Sequence, residues 1–163
     1  MYKAMFLMAF YGFLRIGEMT MNSSSLESHC LSVTDIHSSN DSFTIVFRSH
    51  KHSVPGRNSK ILVKKQAEEL FCPVVHVNRY LKIRGSRQGN LFIHPIGTSV
   101  SRAQFTDILN TALSFIHLSP NYYKGHSFRI GSCTWHMEQG FTDSQLRTMG
   151  RWRSNAFLKY IRP

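Results

Sequence analysis

The last third of the chain carries residues whose types and spacing suit phosphoryl transfer: His126-Ser-Phe-Arg129, then Arg151-Trp152-Arg153, then Tyr160. A histidine and an arginine one helical turn apart face the same way, so they can hold one phosphate while a nearby tyrosine attacks it. Tyr160 is the candidate nucleophile.

Composition selects the partner for such a site. Lys and Arg outnumber Asp and Glu by 20 to 9 in 163 residues, a net charge of +11, which favours a polyanion and nucleic acid first. Fifteen of the twenty basic residues fall in three stretches, Arg48 to Lys65, Arg79 to Arg87 and Arg147 to Arg162, and none of these contains an acid. A solvated surface intersperses both signs, so one-signed blocks between apolar segments point to faces that meet phosphates.

The elements that must position these residues are legible in outline. Ala4 to Leu14 is almost uniformly apolar, which predicts a helix covered on most sides. It is too short to span a bilayer, which needs about 20 residues, and no cleavage site follows it, so neither a membrane anchor nor a signal peptide is expected. An opening element of this kind suggests a chain cut from something longer. Leu31 to Ile36 and Ser42 to Phe47 read as a hairpin about Ser38-Ser-Asn-Asp41, and Ile61-Leu-Val63 as a third strand. Pro73 to Ile83 predicts a helix ending at Gly85. Phe105, Ile108, Leu109, Ala112, Leu113 and Ile116 form a helical core stripe behind the capping box Ser101-x-x-Gln104. His126 to Gln139 predicts a helix stopped by Gly140, Thr142-x-x-Gln145 caps a short helix closing at Gly150, and Ser154 caps a last one through Tyr160. The pair of helices between Gly125 and Gly150 also has the outline of a helix-turn-helix, a reading that leaves Trp152 and Tyr160 without a role.

Cys30, Cys72 and Cys133 are an odd set at wide spacing without a CxxC pair, as expected of reduced cysteines in an intracellular protein. His50-x-His52 and His136-x-Glu138 lack the partner ligands of a zinc site, so no metal centre is expected.

Leu14-Arg15-Ile-Gly-Glu18, His126-x-x-Arg129, Gly150-Arg-Trp152 and the closing Tyr160, in this order and approximate spacing, resemble the catalytic domain of tyrosine recombinases, the phage-integrase family. The resemblance covers nearly the whole chain. Trp152, where many members have histidine, and the ending Arg151-Trp-Arg-Ser-Asn-Ala-Phe-Leu-Lys-Tyr160 are similar to recombinases of eukaryotic mobile elements such as DIRS-type retrotransposons and cryptons. The implied fold is α+β and mostly helical, with a small three-stranded antiparallel sheet, and residues 1–163 form one catalytic domain without the family's DNA-clamping domain.

The resemblance implies DNA strand cleavage and rejoining through a 3′-phosphotyrosine, with double-stranded DNA as substrate, self-association on DNA, and no cofactor, metal, nucleotide or membrane. The setting is intracellular with DNA, and nuclear in a eukaryotic host. Tyr160 would attack, Arg15 and Arg129 would stabilise the charge growing on the phosphate, and His126 would accept the tyrosine proton or bind phosphate. Because a free tyrosine, with a pKa of about 10, is a poor nucleophile at neutral pH, either some group must accept its proton or the arginine cluster must lower its pKa. Trp152 would donate its indole N–H to the phosphate or pack the tyrosine in place. Family members protonate the leaving 5′-oxygen from a lysine on the turn between the second and third strands. Lys51 holds that position here and Lys60 is its rival. Arg57, Lys60, Lys124 and Arg151 are the candidate DNA contacts. Two departures bear on activity: Trp152 and Tyr160 are eight residues apart where many members show nine, and only Ile161-Arg-Pro163 follows the tyrosine. The alternative reading is a catalytically inactive DNA-binding module that keeps the recombinase fold.

Overall fold

Alternation of side chains along Ser42–Phe47 decides the centre of the small sheet. Phe43, Ile45 and Phe47 are buried while Ser42, Thr44 and Val46 lie half-exposed between them, the period of a strand with one face on a core. A computed structural model of the chain, which describes residues 1–21, 30–48 and 59–162, places this strand, β2, between β1 (Ile36–Ser38) and β3 (Ser59–Lys64). Both pairings are antiparallel, with Ile36 opposite Ile45 and Ile45 opposite Ile61, so the aliphatic residues share one face.

The first strand is shorter than its sequence suggests. Residues Val33–Asp35 form a 3-10 turn instead of extending β1, because Ser32 and Asp35 form a reciprocal capping box: the Asp35 carboxylate accepts the Ser32 N–H at 2.8 Å. Local side-chain bonding thus overrides the β-propensity of Leu31 to Ile36.

Among the described residues five α-helices complete the fold: α1 (Tyr2–Tyr11), α2 (Pro73–Arg84), α3 (Arg102–Phe115), α4 (Ser127–Glu138) and α5 (Asp143–Gly150). A 3-10 helix, Asn155–Tyr160, closes the chain, its first turn capped by Ser154 Oγ. The uniformly apolar α1 is covered as expected. Ala4, Met5, Met8 and Ala9 are buried, and Phe6 packs edge-on to Phe105 of α3 and stacks with Phe128 of α4. On α3 only half of the expected stripe is core: Phe105, Leu109 and Leu113 are buried, whereas Ile108, Ala112 and Ile116 are exposed. The helix lies on the core by a single edge, and its second apolar row faces outward.

Two apolar cores result. The larger joins α1, α2, α3 and the sheet. The smaller consists of Phe13, Cys133, Leu146 and Phe157, with Trp152 and Tyr160 packed on its margin. The architecture is the expected mostly helical α+β domain with a three-stranded antiparallel sheet. Among the described residues no helix is long and apolar enough to cross a membrane, and no cluster of His, Cys, Asp or Glu could hold a metal ion.

Candidate active site

The chain leaves α1 through Gly12 and Phe13, the latter at a φ of 49°, and enters a 3-10 turn, Ile16–Glu18, with Arg15 at its N-cap. The Glu18 carboxylate accepts the Arg15 backbone N–H at 2.8 Å and the Arg15 Nη1 at 3.3 Å. This local bonding fixes Arg15 at the rim of a cleft of about 720 Å³, lined also by Arg102, Thr106, Lys124, Gly125, His126 and Arg129. The opposite wall is the start of α4. A Cβ at Gly125 would collide with the Ile16 side chain, so glycine at this position lets the His126 turn close on the Arg15 turn.

His126 sits at the N-cap of α4 and Arg129 in its first turn, as the helical spacing requires. Arg129 is only 1% exposed, and its guanidinium donates to the carbonyls of Phe13 and, at 2.8 Å, Gly150. It also lies 4.6 Å from the centroid of the Trp152 ring. Among the described residues neither Nε of Arg129 nor Nη1 of Arg151 has a partner. Burial, joined by the charges of Arg15 and Arg151, lowers the Arg129 pKa to about 10, which still leaves it charged at neutral pH. Burial first, then Arg129 and Arg15, also holds His126 below the ordinary histidine value, so its imidazole is neutral at pH 7.

Tyr160 reaches this group from the chain end. Its ring centroid lies 4.9 Å from that of His126 and 5.1 Å from that of Trp152, and the Arg129 guanidinium is 5.9 Å from it. Helix α4 holds the segment in place. Thr134 Oγ1 donates to the Tyr160 carbonyl at 3.3 Å and accepts the Arg162 N–H at 3.1 Å, while Phe157 is wholly buried in the smaller core. Trp152 packs so closely on Gly150 that a side chain there would collide with the indole ring.

Arg15, His126, Arg129, Trp152 and Tyr160, spread over 146 positions of sequence, therefore converge at the seam between the two cores. Lys124 lines the same cleft. Lys60 does not: it lies exposed on β3 and lines a second cleft, of about 480 Å³, shared with His136, Phe141 and Met149. Lys51 and Arg57 lie outside the described residues. Arg151 turns inward, in contrast to the DNA-facing arginine expected at this position. Its side chain is 12% exposed and its Nη2 lies 2.7 Å from Glu18 Oε2.

No protein-family model matches the chain, and no curated protein does. Solved structures do. A fragment of the Tn1549 transposon integrase in complex with circular intermediate DNA aligns with a TM-score of 0.64 at 14% identity, over 98% of this chain and 53% of that one. A phenylalanine-for-tyrosine variant of that fragment, in complex with transposon right end DNA, gives 0.59 at 14% identity, over 98% and 54%. The chain has an integrase-like fold. It spans about half the length of these two structures.

Within the integrase-like fold, sequence reasoning missed the residues that shape the site without reacting. Arg102 and Thr106 line the cleft from the first turns of α3, where sequence registered only a cap. Gly125 and Gly150 each permit one close approach beside a candidate site residue. Their position immediately before His126 and Arg151-Trp152 was the available signal. Glu18 stood in the quoted motif, but its partner Arg151 lies 133 residues away, and nothing local announces that pairing.

Proposed function

We propose that residues 1–163 form a DNA strand-transfer catalytic domain of the tyrosine recombinase type, with Tyr160 as nucleophile. The observation that carries this reading is the buried Arg129 guanidinium, its Nε without a partner among the described residues, in the wall of a cationic cleft and beside His126 and Tyr160. A buried charged donor left unpaired is costly unless something else completes its bonding, and a DNA phosphate would do so.

In this reading the scissile phosphate enters the cleft between Arg15 and Arg129, while Lys124 and Arg102 meet neighbouring phosphates. Tyr160 Oη attacks phosphorus, its proton passes to the neutral imidazole of His126, and a phosphotyrosine bond forms as the P–O5′ bond breaks. The leaving 5′-oxygen takes a proton from a lysine, Lys51 by its sequence position. Reversal on another DNA end rejoins the strand, so the bond energy is retained in the covalent link. Trp152 packs beneath Arg129 and beside Tyr160, which suits a role in fixing both. Self-association on DNA and membership of the eukaryotic DIRS-type or crypton-like group belong to the same proposal.

The second reading, a DNA-binding module without activity, has its own support: both Nη atoms of Arg129 already bond backbone carbonyls. Nicked suicide DNA substrates separate the two. Strand transfer predicts a protein–DNA adduct that survives denaturation and disappears in Tyr160→Phe, while duplex affinity is kept. DNA binding without an adduct, or an adduct that persists in Tyr160→Phe, would overturn Tyr160 as nucleophile.

A further inference from the structure

Arg151 adopts a backbone conformation that is sterically unfavourable for arginine. At the C-terminus of α5 it has φ 55° and ψ 40°, the left-handed region where glycine is the usual occupant because any Cβ crowds the neighbouring carbonyl. The side chain earns this position by its contacts. Nη2 faces both Glu18 oxygens, at 2.7 and 2.9 Å, and the guanidinium lies 3.8 Å from the centroid of the Phe47 ring.

Among the described residues Glu18 is the one carboxylate lining the cleft, and the same two oxygens hold the backbone and side chain of Arg15. An uncompensated carboxylate there would repel a phosphate and tie up the Arg15 charge. Arg151 compensates it from behind, on the buried side: its side chain is 12% exposed and that of Arg15 57%. Arg15 therefore keeps donors for a phosphate. We infer that Arg151 is a positioning residue which, through Glu18, fixes the Arg15 turn and neutralises the carboxylate beneath the phosphate site, instead of contacting DNA. The inference rests on the phosphate-binding reading of the cleft.

The test compares the wild type with Arg151→Gly, which suits the left-handed backbone and removes the charge, and Arg151→Lys, which keeps a charge facing Glu18. Two readouts are needed. Amide hydrogen exchange reports the Arg15 N–H held by Glu18, and single-turnover adduct formation on a suicide substrate reports cleavage. In Arg151→Gly the Arg15 amide should exchange roughly tenfold faster, with exchange in α2 and α3 unchanged, as expected when one charge-assisted hydrogen bond is loosened. Adduct formation should slow by roughly a hundredfold, the scale of a small misplacement of a catalytic group, with duplex affinity retained. Arg151→Lys should recover part of the rate.

An unchanged Arg15 amide overturns the inference, and so does a faster amide with a wild-type cleavage rate. Loss of affinity with a shallower salt dependence also overturns it, because that result means a direct phosphate contact. If the wild type forms no adduct, the strand-transfer reading fails, and the Arg15 amide alone decides whether Arg151 holds the turn. Should Arg151→Gly not fold, Arg151→Asn, which also tolerates the left-handed region, carries the same comparison.

Discussion

A buried histidine packed against the smaller core makes stability depend on pH. His136 is 4% exposed, and its Nδ1 donates to the Ser132 carbonyl at 2.8 Å, since a carbonyl can only accept. The rings of Phe13, Trp135 and Phe141 surround it at 4.8 to 5.0 Å. Burial lowers its pKa below 6.5, more strongly than the Ser132 bond raises it. His126 is shifted the same way. For His136 the unfolded chain binds the proton more tightly than the fold, so stability is fully present above pH 6.5 and is lost as pH falls through the depressed folded value, whereas solvent screens the same shift at exposed His126. Urea midpoints should therefore be flat above this value and decline below it, before carboxylates titrate at about pH 4. His136→Gln, which can still donate to Ser132, should flatten the decline. A midpoint that is constant down to the carboxylate range would show that His136 is not held neutral by the fold.

At the scale of elements, α5 sets the exit angle of the segment that bears Arg151 and Trp152. Its start is fixed by a reciprocal box: Thr142 Oγ1 accepts the Gln145 N–H at 3.3 Å, and Gln145 Oε1 accepts the Thr142 N–H at 2.8 Å. Thr142→Ala should cost about 1 kcal/mol, the usual value of an N-cap. It should also slow adduct formation more than Ser101→Ala, which removes the equivalent cap on α3, lowers stability similarly, and leaves the Gly150 to Tyr160 segment alone. Equal effects of the two substitutions on cleavage would mean that α5 does not position the site. These caps were legible in sequence because each is a contract between residues three apart, and so were the turns at Gly85 and Gly140, with φ of 72° and 81°. Less legible was whatever depended on a distant surface. The 3-10 turn at Val33–Asp35 replaced an expected strand, and the outer row of α3 was assigned to a core that does not reach it. In the site, the His126 to Arg129 spacing predicted a shared face correctly, because the helix alone dictates it. The Arg151 to Glu18 pair depends on α5 folding back across the N-terminal turn.

Over the whole molecule, the same distinction governs how much of the +11 charge is available to a polyanion such as the proposed DNA. Not every basic residue in the three stretches faces outward. Arg84 is 6% exposed and donates to the carbonyls of Leu91 and Asn90 at 2.8 Å, where it clamps the loop after α2. Arg151 is likewise turned to an internal partner. Exposed Lys124 and Arg102, by contrast, line the cleft from two different elements. Counterion release makes log affinity fall with log salt by roughly 0.9 per neutralised phosphate, so the slope counts contacts and not total charge. Lys124→Ala and Arg102→Ala should each reduce that slope by about one without lowering thermal stability. Arg84→Ala should do the reverse. It leaves buried carbonyls unsatisfied, costs about 1–3 kcal/mol of stability, and keeps the slope of the wild type. A flat salt dependence in the wild type would remove duplex DNA as the partner. Equal slopes for all three variants would move the DNA-binding face away from this cleft, because a phosphate seated between Arg15 and Arg129 places its neighbours within reach of the cleft wall that Lys124 and Arg102 supply.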